Sequence, residues 1–111
     1  MDEGQRRKAA NEAVFREVNE RIESLQRAFA LTQREPLHIV CECDRLDCTQ
    51  RVSVSVETYE GVRSHPEQFL VLAGHEDRAV EDVVDTGDGY LVVAKRPGTP
   101  AAVAEATDPR S

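Results

Sequence analysis

A chain of 111 residues with no Trp, two Tyr and three Phe offers material for one small domain, whose core must rest on Val, Leu, Ile and Ala and would gain from a cross-link or a metal. The net charge of −7 is uneven: residues 1–35 carry seven basic and seven acidic side chains, so residues 36–111 hold the whole excess. An acidic body repels the phosphate backbone that dominates nucleic-acid affinity, which sets the chain against a nucleic-acid partner.

Residues 1–35 predict one long helix, with no Pro before Pro36 and the one Gly, Gly4, near the start. Phe15, Val18, Ile22, Leu25 and Phe29 recur at intervals of three and four, marking a narrow apolar stripe. Glu12, Glu17 and Glu23 precede Arg16, Arg21 and Arg27 by four residues, an orientation that adds about 0.2–0.5 kcal/mol per pair, so the other faces are expected to meet water. Pro36 stops the helix, because it lacks an N–H and disfavours helical geometry at Glu35. About 30 helical residues extend about 45 Å, more than so small a domain can cover. The stripe is therefore expected to meet a protein partner or a second copy in a homodimer, although packing along the chain's own sheet answers the same pattern. The opening "MDEGQRRKAANEAVF" lacks the apolar centre of a leader and no stretch reaches bilayer length, which points to a cytoplasmic protein without a membrane partner.

Residues 36–96 predict a compact α+β body. "LHIVCE" from Leu37 is the first strand, and "RVSVSV" from Arg51 alternates Val and polar residues as a half-buried second strand does. Ser55 is a candidate N-cap for a short helix over "VETYEGVR", and "SHPEQF" reads as a capped turn with Pro66 near its start. "FLVLA" is the next strand, and "AVEDVVDTGDGYLVVAKR" is a hairpin around "DTGDG". Residues 97–111, rich in Pro, Ala and small polar residues, are expected to form a disordered tail. The expected fold is thus α+β: a long amphipathic helix, then a small, mainly antiparallel sheet with a short helix and a zinc knuckle.

The three cysteines, Cys41, Cys43 and Cys48, all lie within eight residues and are odd in number. In a reducing compartment such clustering points to metal ligands or redox thiols before a disulfide framework. A structural zinc needs four ligands, with sulfurs about 3.8 Å apart when Zn–S is about 2.3 Å. Residues two apart on a regular strand lie about 6.8 Å apart, so the strand must bend near Cys41 for Cys41 and Cys43 to converge. His75 is the expected fourth ligand, since it follows a predicted strand beside the freely turning Gly74. His38 points to the opposite face of its strand from Cys41, and His65 precedes Pro66 in a polar turn. The mixed ligand set favours zinc over iron, and known iron–sulfur spacings differ from this one. Glu76, Asp77, Asp44 and Asp47 stand near the ligands where a catalytic zinc would need a carboxylate, but the zinc-deaminase pattern, a phosphate loop and a nucleophile elbow are missing.

The Cys-x-Cys-x4-Cys spacing is similar to the small zinc motif that follows the catalytic domain in many lysine methyltransferases, where the fourth ligand also comes from a distant segment. That similarity implies metal geometry and not methyl transfer. From about Arg6 to Lys95, "NEAVFREVNERI", "CECDRLDC", "YEGVR", "FLVLAGHE" and "YLVVAKR" in this order resemble a group of short, uncharacterised bacterial proteins. The resemblance implies that Cys41, Cys43, Cys48 and His75 form one constellation, and it implies no reaction. The functional expectation is a zinc-stabilised, non-enzymatic regulatory or protein-interaction protein. A thiol and zinc redox sensor is the first alternative, and a metal-dependent hydrolase with Glu76 as general base is the second.

Overall fold

The computed structural model describes residues 2–29 and 36–110. Its elements are α1 (Glu3–Phe29), β1 (Leu37–Val40), β2 (Arg51–Val54), α2 (Val56–Arg63), β3 (Gln68–Leu72), β4 (Glu81–Thr86), β5 (Tyr90–Lys95) and α3 (Thr99–Ala106). The expected end of the first helix at 30–35 and the side chain of Phe29 lie outside the described residues. The fold is α+β as expected, but the strands form two antiparallel sheets: β1 pairs with β2, and β5 lies between β3 and β4.

Local chemistry accounts for each element. Val52 and Val54 are buried while Arg51 and Ser53 face water, the alternation of a half-buried strand. Ser55 caps α2, its hydroxyl accepting the Thr58 N–H at 3.0 Å. β3 and β5 bury consecutive residues, Phe69 to Val71 and Leu91 to Val93, because both faces of that sheet are covered. The β4–β5 hairpin closes with Gly89 at φ +82°. A bulge between Val83 and Asp85 shifts the register, and the extra residue, Val84, is exposed.

Two expectations are corrected. Residues 99–106 are not part of a disordered tail: they form α3, whose Ala104 is buried in the core, and Arg110 beyond it pairs with Glu20 and Glu60 of α1 and α2. Apolar content alone misled here, because α3 is held by polar contacts as much as by burial. The guanidinium of Arg16 donates to the Ala104 carbonyl at 2.7 Å and to the Thr107 hydroxyl at 3.2 Å, satisfying acceptors at the helix C-terminus.

The second correction concerns α1, which turns a polar stripe inward. Glu12, Arg16, Asn19 and Glu23 are 5, 0, 0 and 4 % exposed, whereas Val14, Val18 and Leu25 are 54, 37 and 58 % exposed. Phe15 and Ile22 are half-buried at the border, and Ile22 packs against the core. Positions 12, 16, 19 and 23 follow the same three-and-four spacing as the apolar stripe, rotated about a third of a turn at about 100° per residue. Asn19 meets the free edge of β1, accepting the Val40 N–H at 2.7 Å and donating to the Val40 carbonyl at 2.9 Å, as a neighbouring strand would. Arg16 lies over the Phe69 ring at 4.3 Å and donates to the Pro66 carbonyl at 2.5 Å. Glu12 and Glu81 both accept from the Lys95 ammonium at 2.8 Å. Of the expected pairs along the helix, Glu23 and Arg27 meet at 3.4 Å, while Glu12 and Arg16 each turn to partners in the body.

Candidate metal centre

The bend required at Cys41 is built by the backbone. The Cys41 N–H still bonds across to the Gln50 carbonyl at 3.0 Å, extending the β1–β2 ladder by one step. The next N–H, of Glu42, donates to Leu70 of β3 at 2.8 Å, so the chain leaves one sheet for the other between the first two cysteines. A turn closed by the Cys48 N–H on the Arg45 carbonyl at 3.2 Å brings the third cysteine back. His75 enters from the turn after β3, where its N–H bonds to the Leu72 carbonyl at 2.9 Å and Gly74 takes φ +92°. Arg45 fastens the two segments, donating to the Gly74 carbonyl at 2.8 Å.

Cys41, Cys43, Cys48 and His75 converge, and one ligand atom from each lies within 4.8 Å of all the others. The imidazole Nδ1 is 3.8 Å from Cys41 Sγ and 3.6 Å from Cys48 Sγ. A tetrahedral zinc with bonds of about 2.3 Å to sulfur and about 2.0–2.1 Å to nitrogen sets the S···N edge at about 3.6 Å. The cluster thus has the size of a four-coordinate site and could hold a metal ion. The three sulfurs are buried, at 0, 1 and 8 % residue exposure, and His75 is half-buried. All three cysteines are free thiols.

The surroundings suit sulfur anions. Leu72 N–H donates to Cys41 Sγ at 3.2 Å, and the backbones of Arg45 and Gln50 serve Cys43 and Cys48. A hydrogen bond from Cys41, aided by His75 and the Arg45 backbone, holds the Cys43 thiol down to about 4 against the effect of burial. Cys41 is pushed up by that same shared hydrogen bond and by desolvation, and burial is the main cause raising Cys48. One thiol ionises readily and its neighbours then resist, so a cation among them is what lets all three become ligands.

His38 lies on the exposed face of β1, and His65 sits 3.9 Å from Glu67 in its turn, so neither joins the cluster. Of the acidic residues nearby, Asp47 is exposed, and Glu76, Asp44 and Asp77 are occupied structurally. Glu76 accepts the Gly74 N–H at 2.8 Å, and its own backbone and that of Gly74 hold its carboxyl below the usual range. Asp44 and Asp77 share a hydrogen bond, with Lys8 3.8 and 3.9 Å away.

Sequence reasoning missed Glu42, the residue between the first two cysteines. Its side chain is fully buried, with one oxygen accepting from Arg63 at 3.0 Å and the Leu70 N–H at 2.9 Å, and the other from Asn19 at 2.7 Å. A Glu flanked by cysteines and Asp reads as a loop residue, and no pattern in the sequence marks it otherwise. The chain was compared with models of known protein families, with curated proteins and with solved structures, and none of them matches. Of the resemblance to short bacterial proteins, the four-residue constellation is the part present in the structure.

Proposed function

We propose that Cys41, Cys43, Cys48 and His75 bind one zinc ion as a closed structural site, in a small non-enzymatic interaction or regulatory protein of the cytoplasm. The convergence of three sulfurs and one imidazole at tetrahedral spacing carries this reading. The site joins the β1–β2 loop to the turn after β3, so the ion would staple the two sheets beside the Glu42–Leu70 hydrogen bonds and the common core that already link them. Four protein ligands fill the coordination shell, which favours a structural over a hydrolytic role. Burial of the sulfurs likewise disfavours a redox sensor, whose thiols need access to oxidant.

The surface for association in this reading is the outer side of α1, where Val14, Val18 and Leu25 stand in water beside Phe15 and Ile22. Their three-and-four spacing suits a second copy of the same helix, giving an isologous homodimer.

Elemental mass spectrometry on protein purified without a tag tests the metal. One zinc per chain in the wild type, and less in His75→Ala, is expected; a wild type that binds no metal after reconstitution with zinc refutes the site. Sedimentation equilibrium tests the association. A mass that rises with concentration, and stays that of a monomer in Val18→Glu/Leu25→Glu, is expected, and a monomer at every concentration refutes the homodimer.

A further inference from the structure

The segment that supplies the first two cysteines of the cluster is also the segment on which α1 is seated. Cys41 and Cys43 contribute their sulfurs to the Cys3His cluster. The residues that alternate with them, Val40 and Glu42, hold the helix. Asn19 of α1 accepts the Val40 N–H at 2.7 Å, and its two amide hydrogens go to the Val40 carbonyl at 2.9 Å and to Glu42 Oε2 at 2.7 Å. Asn19, Cys41, Glu42 and Cys43 are all buried, so water does not replace any of these contacts when one is lost.

β3 closes the connection from the other side. Glu42 exchanges two bonds with Leu70, its N–H donating to the Leu70 carbonyl at 2.8 Å and its Oε1 accepting the Leu70 N–H at 2.9 Å. Two residues on, the Leu72 N–H donates to Cys41 Sγ at 3.2 Å and the Leu72 carbonyl accepts the His75 N–H at 2.9 Å. An unbroken run of buried or half-buried contacts therefore leads from Asn19 through Glu42 and β3 to a sulfur and to the turn that carries the imidazole. The cluster also needs the chain bent at Glu42, because its ligand atoms lie within 4.8 Å of one another whereas alternate residues of a regular strand are about 6.8 Å apart.

We propose that Glu42 is a positioning residue of the zinc site and couples the ion to the seating of α1, a coupling that presupposes zinc in the Cys3His cluster. Zinc on Cys41 and Cys43 fixes the bend that presents Val40 and Glu42 to Asn19, and the seated helix in turn holds the two sulfurs at ligand spacing. Without the ion the bend relaxes toward strand spacing and carries the Glu42 carboxylate away from Asn19. The coupling is reciprocal: the factor by which Asn19 strengthens zinc binding is the factor by which zinc strengthens the docking of α1 through Asn19. Since α1 also carries the exposed Val14, Val18 and Leu25, the occupancy of the metal site sets how firmly the proposed association surface is held.

Competition of the full chain with a chromophoric chelator measures zinc affinity. Glu42→Gln and Asn19→Ala, neither of which removes a ligand, are expected to bind zinc about tenfold or more weakly, the effect typical of losing a group that orients metal ligands. Val93→Ala truncates the core of the three-stranded sheet away from the cluster, and is expected to lose stability but to bind zinc as the wild type does, which separates a positioning role from lost stability. The wild type alone supplies a second readout, independent of whether the variants fold. On chelation of zinc, hydrogen exchange at the Asn19 and Ile22 amides of α1 is expected to quicken at least about tenfold more than at Val83 and Val92 of the β4–β5 hairpin. A wild type that takes up no zinc refutes the metal reading and the coupling with it. A wild type that binds zinc, with Glu42→Gln and Asn19→Ala binding equally tightly or with α1 exchange rising no more than that of the hairpin, overturns the coupling and leaves the metal reading standing.

Discussion

Replacing Glu42 by Gln removes one charge from the centre of the protein while keeping the shape of the side chain. In the wild type Glu42 and Arg63 are fully buried and 3.0 Å apart, and the same carboxylate receives Leu70 N–H and Asn19. With Gln in place, Arg63 keeps its carbonyl partner on Gln68 but loses its counter-charge, and its Nε is already without a hydrogen bond. The new amide also sets an N–H₂ group or the Arg63 charge against a second donor, since three donors converge on this one acceptor group. Breaking a buried pair from one side typically costs about 3–5 kcal/mol, against a total stability on the order of 5–15 kcal/mol for a domain of this size. At about 4–8 °C per kcal/mol, thermal unfolding should fall by on the order of 20 °C. Urea denaturation of Glu42→Gln, Arg63→Met and the double variant closes a thermodynamic cycle, and the double variant should recover at least about 1 kcal/mol of the summed losses, because neither charge is then left alone. Running the series both with excess zinc and with chelator separates this pair from the proposed zinc site beside it. A loss below about 1 kcal/mol in Glu42→Gln would show that the buried pair does not hold the two sheets as described.

Asn19→Leu removes both bonds to the edge of β1, and should cost on the order of 2–4 kcal/mol and speed hydrogen exchange at the Val40 amide, whereas exchange at Val92 should follow global stability alone. The Glu12 carboxyl is raised by burial from 4.5 to about 8, so between those values the folded state keeps a proton that the unfolded state has lost. Stability should therefore decline as pH rises from about 4.5 to about 8, with Glu23, raised to about 7 chiefly by burial, acting in the same direction. Denaturant midpoints across that range should show a shallower decline in Glu12→Gln; an unchanged slope would remove Glu12 as its source. Gly74→Ala forces a side chain into φ +92° in the turn that aims His75, and should cost about 1 kcal/mol and weaken zinc retention in competition with a chelator. Retention equal to the wild type would show that this turn does not set the imidazole position.

The sequence by itself determined most of the elements and the membership of the Cys3His cluster. Alternation over residues 51–54, the Ser55 cap, the Gly-rich hairpin at 86–89 and the clustering of three cysteines are short-range signals, and each depends on chemistry within a few residues. His75 was legible for the same reason, as an imidazole beside a glycine just past a strand. The inward face of α1 was not legible, because Glu12, Arg16, Asn19 and Glu23 share the period of the apolar stripe, and period alone does not say which stripe is covered. Only the tertiary structure decided it. The body presents an open strand edge at Val40, an ammonium at Lys95 and the free carbonyls of Pro66 and Ala104, and a polar stripe satisfies those groups where an apolar one would leave them unpaired and buried. α3 was hidden by the same cause: its anchor, Arg16, lies 88 residues from Ala104 in the chain, and no local pattern reports so distant a hydrogen bond.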